Sequence, residues 1–296
     1  MKFLVTGGRG FIGSHFVERA LEEGHKVLDV DKMTYAANET LPWDNNDNYT
    51  LLKQDISEMA HLPNCDVIVN FAAESHVDNS IRDTDPFIKS NILGVHNLLE
   101  LVRGKQSHNR PLFFHISTDE VYGDRLEGSF IEADKLTPSN PYSATKAAAE
   151  MLVLSYNRTF GLDYIITRSA NNYGPRQYEE KLIPKCISSI KDGKKIPIHG
   201  DGTYVRDWTY VKDNVDGIFT IINSNVKNEV FNIAAENHLI NLEVVEEVLS
   251  WYEKGQECIK FVPNRWGQDL RYSISSDKLR KLGWKPKFEK GLYKWF

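Results

Sequence analysis

Lys2-Phe3-Leu4-Val5-Thr6-Gly7-Gly8-Arg9-Gly10-Phe11-Ile12-Gly13 sets the architecture of this chain. A short apolar strand, Lys2 to Thr6, runs into a glycine-rich turn, and Phe11 to Glu23 then reads as a helix closed by Gly24. Gly7, Gly10 and Gly13 follow the spacing GxxGxxG. Glycines there let a pyrophosphate approach backbone N–H groups, and the helix N-terminus stabilises its charge. A lone glycine cluster says little; between a strand and a helix it predicts a dinucleotide site. The expected contacts are Gly7, Gly10, Phe11, Ile12 and Gly13.

The same alternation continues outward. Lys26 to Asp31 is a second strand, Tyr49 to Asp55 a third, and Asp66 to Phe71 a fourth. A helix is expected from near Pro86, with Ile88, Ile92, Val95, Leu99 and Val102 as its apolar stripe. Pro111 to Ser117 is a buried strand, Asn140 to Phe160 a long helix, and Tyr164 to Thr167 a further strand. This predicts an α/β fold with a Rossmann-type parallel sheet and helices on both faces. After about Ser169 the rhythm breaks. Residues 171–296 are expected to form a smaller C-terminal α/β substrate domain beside a cofactor domain at 1–170, with some segments returning to the first domain. Within the second part, a strand at Glu229 to Ala234 precedes a helix near Leu242 to Trp251.

Asp31 ends the second strand. A carboxylate there accepts hydrogen bonds from both adenosine ribose hydroxyls and repels a 2′-phosphate, so NAD is favoured over NADP. Lys32 argues mildly the other way, since a cation could tolerate that phosphate. Asp55 and Ile56 could flank the adenine or form a plain turn.

With 296 residues, 41% hydrophobic, the chain can bury a full core. A net charge of −5 without a basic run argues against nucleic-acid or membrane-surface partners. No apolar run is long enough to span a membrane. Cys65, Cys186 and Cys258 lie far apart with no ligand spacing, so no metal is expected. A strand pattern at the start rather than a signal peptide, and free thiols, point to a cytoplasmic setting.

Chemistry concentrates in His115-Ile116-Ser117-Thr118-Asp119-Glu120-Val121-Tyr122-Gly123 and in Tyr142-Ser143-Ala144-Thr145-Lys146. Tyr142 and Lys146 are four apart on one helix and share a face. A free tyrosine titrates near ~10, and bringing it to neutrality takes roughly 4 kcal/mol, which a nearby ammonium can supply in a desolvated cleft. Ser117 or Thr118 offers a hydroxyl to a substrate alcohol. A plain alcohol dehydrogenase needs neither Asp119 nor Glu120. Burial and repulsion can separate their pKa values into an acid and a base, suited to eliminating water.

These segments resemble the extended short-chain dehydrogenase/reductases, and among them the nucleotide-sugar 4,6-dehydratases of the dTDP-glucose type. Matching stretches include Asp31 to Ala36, Ala72 to Asp78, Asn140 to Lys146, Asn171 to Pro175, Glu180 to Pro184, Gly200-Asp201-Gly202 and Arg206-Asp207-Trp208. Thr118-Asp119-Glu120 is the most specific. Related decarboxylases and GDP-mannose dehydratases carry Thr-Ser-Glu there, and 4-epimerases lack the acid pair. The resemblance implies NAD-dependent oxidation at carbon 4, elimination of water across carbons 5 and 6, and return of the hydride to carbon 6. It casts Tyr142 as the base for the 4-hydroxyl, with Thr118 holding that hydroxyl. Lys146 would tune Tyr142 and bind the nicotinamide ribose, Glu120 would take the carbon-5 proton, and Asp119 would protonate the leaving hydroxyl. Ala72, Ala73, Asn91 and Ser117 would line the cofactor. Ser75, Asn171 and Glu180 fall on the sugar side, and Lys181 is a further substrate contact. Asn172, Arg206, Asn241 and Arg265 fall toward the diphosphate. His76 and His115 are expected to be structural. A homodimer through a four-helix bundle is implied.

Several departures stand out. His199 and Gln268 replace residues usual near the nucleotide base and phosphates. The segments between Asp55 and Asp66 and between Gly123 and Pro138 are short, and the last residues are expected in a terminal helix. dTDP-glucose is the default substrate; UDP-glucose and UDP-N-acetylglucosamine are alternatives. A nucleotide-sugar 4-epimerase or decarboxylase is the nearest rival enzyme, and a non-catalytic NAD-binding regulator the rival outside enzymes.

Overall fold

A computed structural model describes residues 1–264 and 266–295. Its elements run β1 (Lys2–Thr6), α1 (Phe11–Glu22), β2 (Lys26–Asp31), β3 (Tyr49–Lys53), β4 (Val67–Asn70), α2 (Val77–Arg82), α3 (Asp85–Phe87), α4 (Gly94–Arg103), β5 (Leu112–Thr118), α5 (Pro141–Phe160) and β6 (Tyr164–Ser169). They continue as β7 (Asn171–Tyr173), α6 (Leu182–Lys191), β8 (Ile196–His199), β9 (Val205–Tyr210), α7 (Val211–Asn223), β10 (Glu229–Ile233), β11 (His238–Ile240), α8 (Asn241–Trp251), β12 (Ile259–Val262) and α9 (Asp277–Arg280).

Seven parallel strands form the main sheet in the order β10-β6-β5-β4-β1-β2-β3. Alternation along each strand sorts side chains to two faces. Phe3, Val5, Phe114 and Ile165 join a core with Phe16 of α1 and Phe219 of α7. Leu4, Ile68, Phe113 and Ile166 join the opposite core with Leu98 and Leu99 of α4 and Val153 of α5. The Rossmann-type sheet with both faces covered is therefore present. Smaller sheets, β11-β9-β7 and β12-β8, stand beside it. β10 pairs with β6 in the main sheet, and α7 packs on α1.

Two expectations need correction. The helix from Pro86 is not continuous α-helix. A π-helical stretch, Ile88–Leu93, precedes α4. Its wider turn rotates the register, so Ile88 is exposed while Val95, Leu98, Leu99 and Val102 are buried. The terminal helix is also absent: among the described residues no helix follows α9. Aromatic packing holds that tail instead, with Phe288 and Tyr293 against Tyr210 and Trp295 against Trp251. As the spacing predicted, the β3-to-β4 crossover is reduced, to the single turn Ile56–Glu58.

Candidate active site

The strand order reverses between β1 and β4, where open α/β sheets bind ligands. A cavity opens there. Gly7, Gly10, Phe11, Ile12 and Gly13 line one end, Asp31, Asp55 and Ile56 another, and Ala72, Ala73, Ser117, Tyr142 and Lys146 the wall toward β5. Gly7 has φ +73°, and a Cβ on it would lie 2.7 Å from the Ala72 amide nitrogen. A Cβ on Gly13 would run into the Gly7 carbonyl. The turn is thus a backbone cradle. Gly10 caps α1 with no side-chain acceptor, leaving helix N–H groups for an anion.

Asp31 Oδ2 accepts the Arg9 amide at 3.0 Å and Oδ1 the Met33 amide at 2.7 Å. Lys32 is drawn away, to Glu74 at 2.9 Å and Ser90 Oγ at 2.7 Å. Arg9 is engaged by Asp44 at 2.8 Å. The strand end therefore keeps its carboxylate while both neighbouring cations are occupied. These residues fit a dinucleotide with a free ribose. Asp55 both lines the cavity and caps the Ile56–Glu58 turn, accepting Ser57 N at 2.9 Å. Asn91 does not line the cavity. It is buried in the π-helical stretch, where Nδ2 donates to the Glu74 carbonyl (3.0 Å) and Thr145 Oγ1 (2.9 Å). It ties the cavity wall to α5 from behind.

The proton-transfer groups gather where β5 ends. Thr118 caps the turn Asp119–Tyr122, and its hydroxyl donates to Asp119 Oδ1 at 3.2 Å. Asp119 is 3% exposed and its Oδ2 has no partner. Burial, then the charges of Glu120 and Asp207, push its carboxyl well above the usual range, against the pull of Arg206. These influences together favour the protonated form of Asp119. Gly123 closes the turn at φ +81°, with the Thr137 carbonyl where a Cβ would go.

Tyr142 and Lys146 lie in the first turns of α5, which starts at an Asn140 capping box and Pro141. Burial draws the Lys146 ammonium down to about 8, and its Nζ donates to the Ile116 carbonyl at 2.6 Å. Burial, then Glu120, push the Tyr142 phenol up; a hydrogen bond with Thr118 acts the other way, and Asp119 pushes it up again. The phenolate expected from the Tyr-x-x-x-Lys spacing is therefore corrected: the protein alone holds Tyr142 as phenol. The reason is desolvation together with the charge of Glu120, while the Lys146 ammonium is committed to the Ile116 carbonyl.

A second cavity adjoins the first, sharing Ser75, Gln177, Tyr178, Glu180 and Lys181. Glu120, Asn171, Asn172, Arg206 and Asn241 line it, with His199 and Gln268. Asn171 Oδ1 and Asn172 Oδ1 are buried without partners, as acceptors waiting for a donor. Lys181 Nζ donates to the Ser75 carbonyl at 3.0 Å. Glu180 accepts the Tyr35 hydroxyl at 3.0 Å. Arg206 is 5% exposed and donates to the carbonyls of Val205 (2.7 Å) and Asp269 (2.9 Å). Arg265 lies outside the described residues. His115 is fully buried beside Asn70, and burial holds its imidazole well below the usual range, consistent with a structural role.

A family model described as GDP-mannose 4,6 dehydratase matches residues 4–294. The chain belongs to this dehydratase family. The dehydratase is 43% identical to the low-salt glycan biosynthesis protein Agl12 of Haloferax volcanii, over 99% of this chain and 96% of that protein. It is 41% identical to a dTDP-glucose 4,6-dehydratase of Neisseria meningitidis, over 99% and 91% of the two chains. DesIV, a dTDP-glucose 4,6-dehydratase from Streptomyces venezuelae solved with NAD bound, superposes with a TM-score of 0.93 at 38% identity, covering 97% of this chain and 92% of that one.

Sequence reasoning about the dehydratase left Tyr35, Gln177 and Asn140 without roles. The first two belong to exposed or irregular segments with no periodic signal. Asn140 before Pro141 carries an N-cap signal, but its second partner, Glu120, lies 20 residues away.

Proposed function

We propose that the protein catalyses NAD-dependent 4,6-dehydration of a nucleoside-diphosphate hexose, dTDP-glucose by default, giving the 4-keto-6-deoxy sugar and water; its class is hydro-lyase. The observation that carries this reading is a buried Asp119, its carboxyl raised by burial, adjacent to Glu120 of the second cavity and close to Tyr142 of the first. Held by Gly7, Gly10, Gly13, Asp31 and Lys146 of the first cavity, NAD⁺ would accept the carbon-4 hydride and, once reduced, return it to carbon 6, and its positive charge would offset the cost of a buried phenolate. Tyr142 takes the proton of the 4-hydroxyl, which Thr118 holds. The new ketone acidifies carbon 5, and Glu120 removes that proton. Asp119 delivers its proton to the departing 6-hydroxyl, which leaves as water. Glu120 then returns a proton to carbon 5. The proton gained by Tyr142 balances the one lost by Asp119, and exchange with solvent resets both.

Gly7, Gly10, Gly13 and Asp31 are assigned to NAD, with Lys146 on its ribose. Asn171, Asn172, Glu180 and Lys181 are assigned to the sugar and diphosphate. The smaller sheets of the C-terminal part supply most of the nucleotide-sugar side. His199 and Gln268 line the far cleft and keep UDP-glucose and UDP-N-acetylglucosamine open as substrates. The test incubates the protein with these two and dTDP-glucose and follows loss of water by mass spectrometry. The expected result is an 18-mass-unit loss, about one water, from at least one. No loss from any overturns the reading, and inversion at carbon 4 without loss of water would mark an epimerase.

We further propose a homodimer, built from α4, α5 and the π-helical stretch as a four-helix bundle. Leu93 at 52% and Met151 at 48% exposure are large apolar groups left uncovered on these elements. Light scattering is expected to give twice the chain mass at micromolar concentration; a monomer there contradicts it. No helix among the described residues is long and apolar enough to cross a membrane. Three free thiols fit a cytoplasmic setting.

A further inference from the structure

We infer that Asn140 is a positioning residue for Glu120, aiming the carboxylate that takes the carbon-5 proton while capping the helix that carries Tyr142. The inference rests on the dehydration reading above. Asn140 is 6% exposed, and its amide is divided between two tasks. Oδ1 accepts the Ser143 backbone N–H at 2.9 Å, and the Asn140 backbone N–H donates to Ser143 Oγ at 3.2 Å, completing a reciprocal cap. Nδ2 donates to Glu120 Oε2 at 3.3 Å. One planar group therefore couples the start of α5 to the turn after β5. Such bonds are often long before substrate binds and tighten in the complex.

The segment holding Asn140 is itself fastened. Ser139 Oγ donates to Asp269 Oδ2, which also accepts the Tyr272 hydroxyl at 2.6 Å. The Arg206 guanidinium lies 4.2 Å over the Tyr272 ring. Asn140 is thus braced against the wall of the substrate cleft, and a carboxylate bonded to it cannot swing freely. Removing a proton from carbon demands that alignment, because a small misplacement of the base is costly.

A cap alone does not require asparagine. Serine and aspartate cap helices about equally well, yet neither offers the amide donor. Asn140→Ser keeps the cap and removes the bond to Glu120. Asn140→Asp keeps the cap and sets a second carboxylate against Glu120. Both variants are expected to lower kcat by about tenfold or more, with KM within about twofold of wild type and the melting midpoint within about 2 °C. In a single turnover, oxidation at carbon 4 should outrun loss of the carbon-5 proton. Reduced nicotinamide then accumulates in the absorbance trace, and deuterium uptake at carbon 5 from D₂O slows. Wild-type rates in both variants overturn the inference. So does a kcat that falls only with the melting midpoint, without accumulation. A wild-type protein that dehydrates no nucleotide sugar defeats the dehydration reading and this inference with it, and is recognised before either variant is made.

Discussion

Asp119→Asn slows the loss of water by about 10²–10⁴-fold, the usual contribution of a positioned acid, while oxidation at carbon 4 falls far less. The side chain keeps its shape but has no proton to give the 6-hydroxyl. Rapid-quench analysis in a single turnover separates the two steps, and equal slowing of both contradicts the assigned role. The same substitution carries a stability signature. Burial raises the folded-state pKa of Asp119 above that of the unfolded chain. Between those two values the folded state binds more protons, so wild-type stability falls as pH rises through the window. An asparagine does not ionise. The variant should therefore melt higher than wild type at neutral pH, with the gap closing as pH drops toward about 4, the ordinary aspartate value. A gap that widens in acid contradicts the raised pKa.

Glu150→Ala destabilises the fold by about 3–5 kcal/mol. Arg168 on β6 and Glu150 on α5 form a buried pair, 4% and 0% exposed, joined at 2.7 Å. The guanidinium also donates to the Tyr122 hydroxyl at 2.6 Å, and that hydroxyl donates to Asn232 at 2.9 Å. The network ties the turn holding Asp119 and Glu120 to the sheet and to the helix holding Tyr142. Removing Glu150 strands a buried cation. The midpoint should drop on the order of 10 °C, read by circular dichroism, with activity falling at temperatures where the protein is still folded. The double replacement Glu150→Leu with Arg168→Met should recover most of the loss, because apolar groups of similar volume need no partner. A single variant as stable as wild type would mean that water reaches the guanidinium.

The glycine turn, the strand pattern and the caps were legible because each signal is local. Gly7, Gly10 and Gly13 lie within one turn, and buried strands announce themselves as apolar runs. Tyr142 and Lys146 share a face by helical geometry alone, and Thr118 to Glu120 are contiguous. The helix from Pro86 was misread as continuous because an extra residue per π-turn cannot be seen in a stripe of four- and three-residue steps. The terminal helix was misread because the tail is held by aromatic contacts with Tyr210 and Trp251, far away in sequence.

Sequence by itself determined the candidate proton-transfer groups and the elements on which they ride. Only the tertiary structure decided their states. The Asp119 carboxyl is pushed up by burial, then by Glu120 and by Asp207, 88 positions later in the chain. Lys146 is spent on the Ile116 carbonyl, and Tyr142 is held as phenol by desolvation. Residue identity and spacing are carried by short stretches of chain. Burial and charge proximity are sums over residues that meet only when the sheet and its helices close.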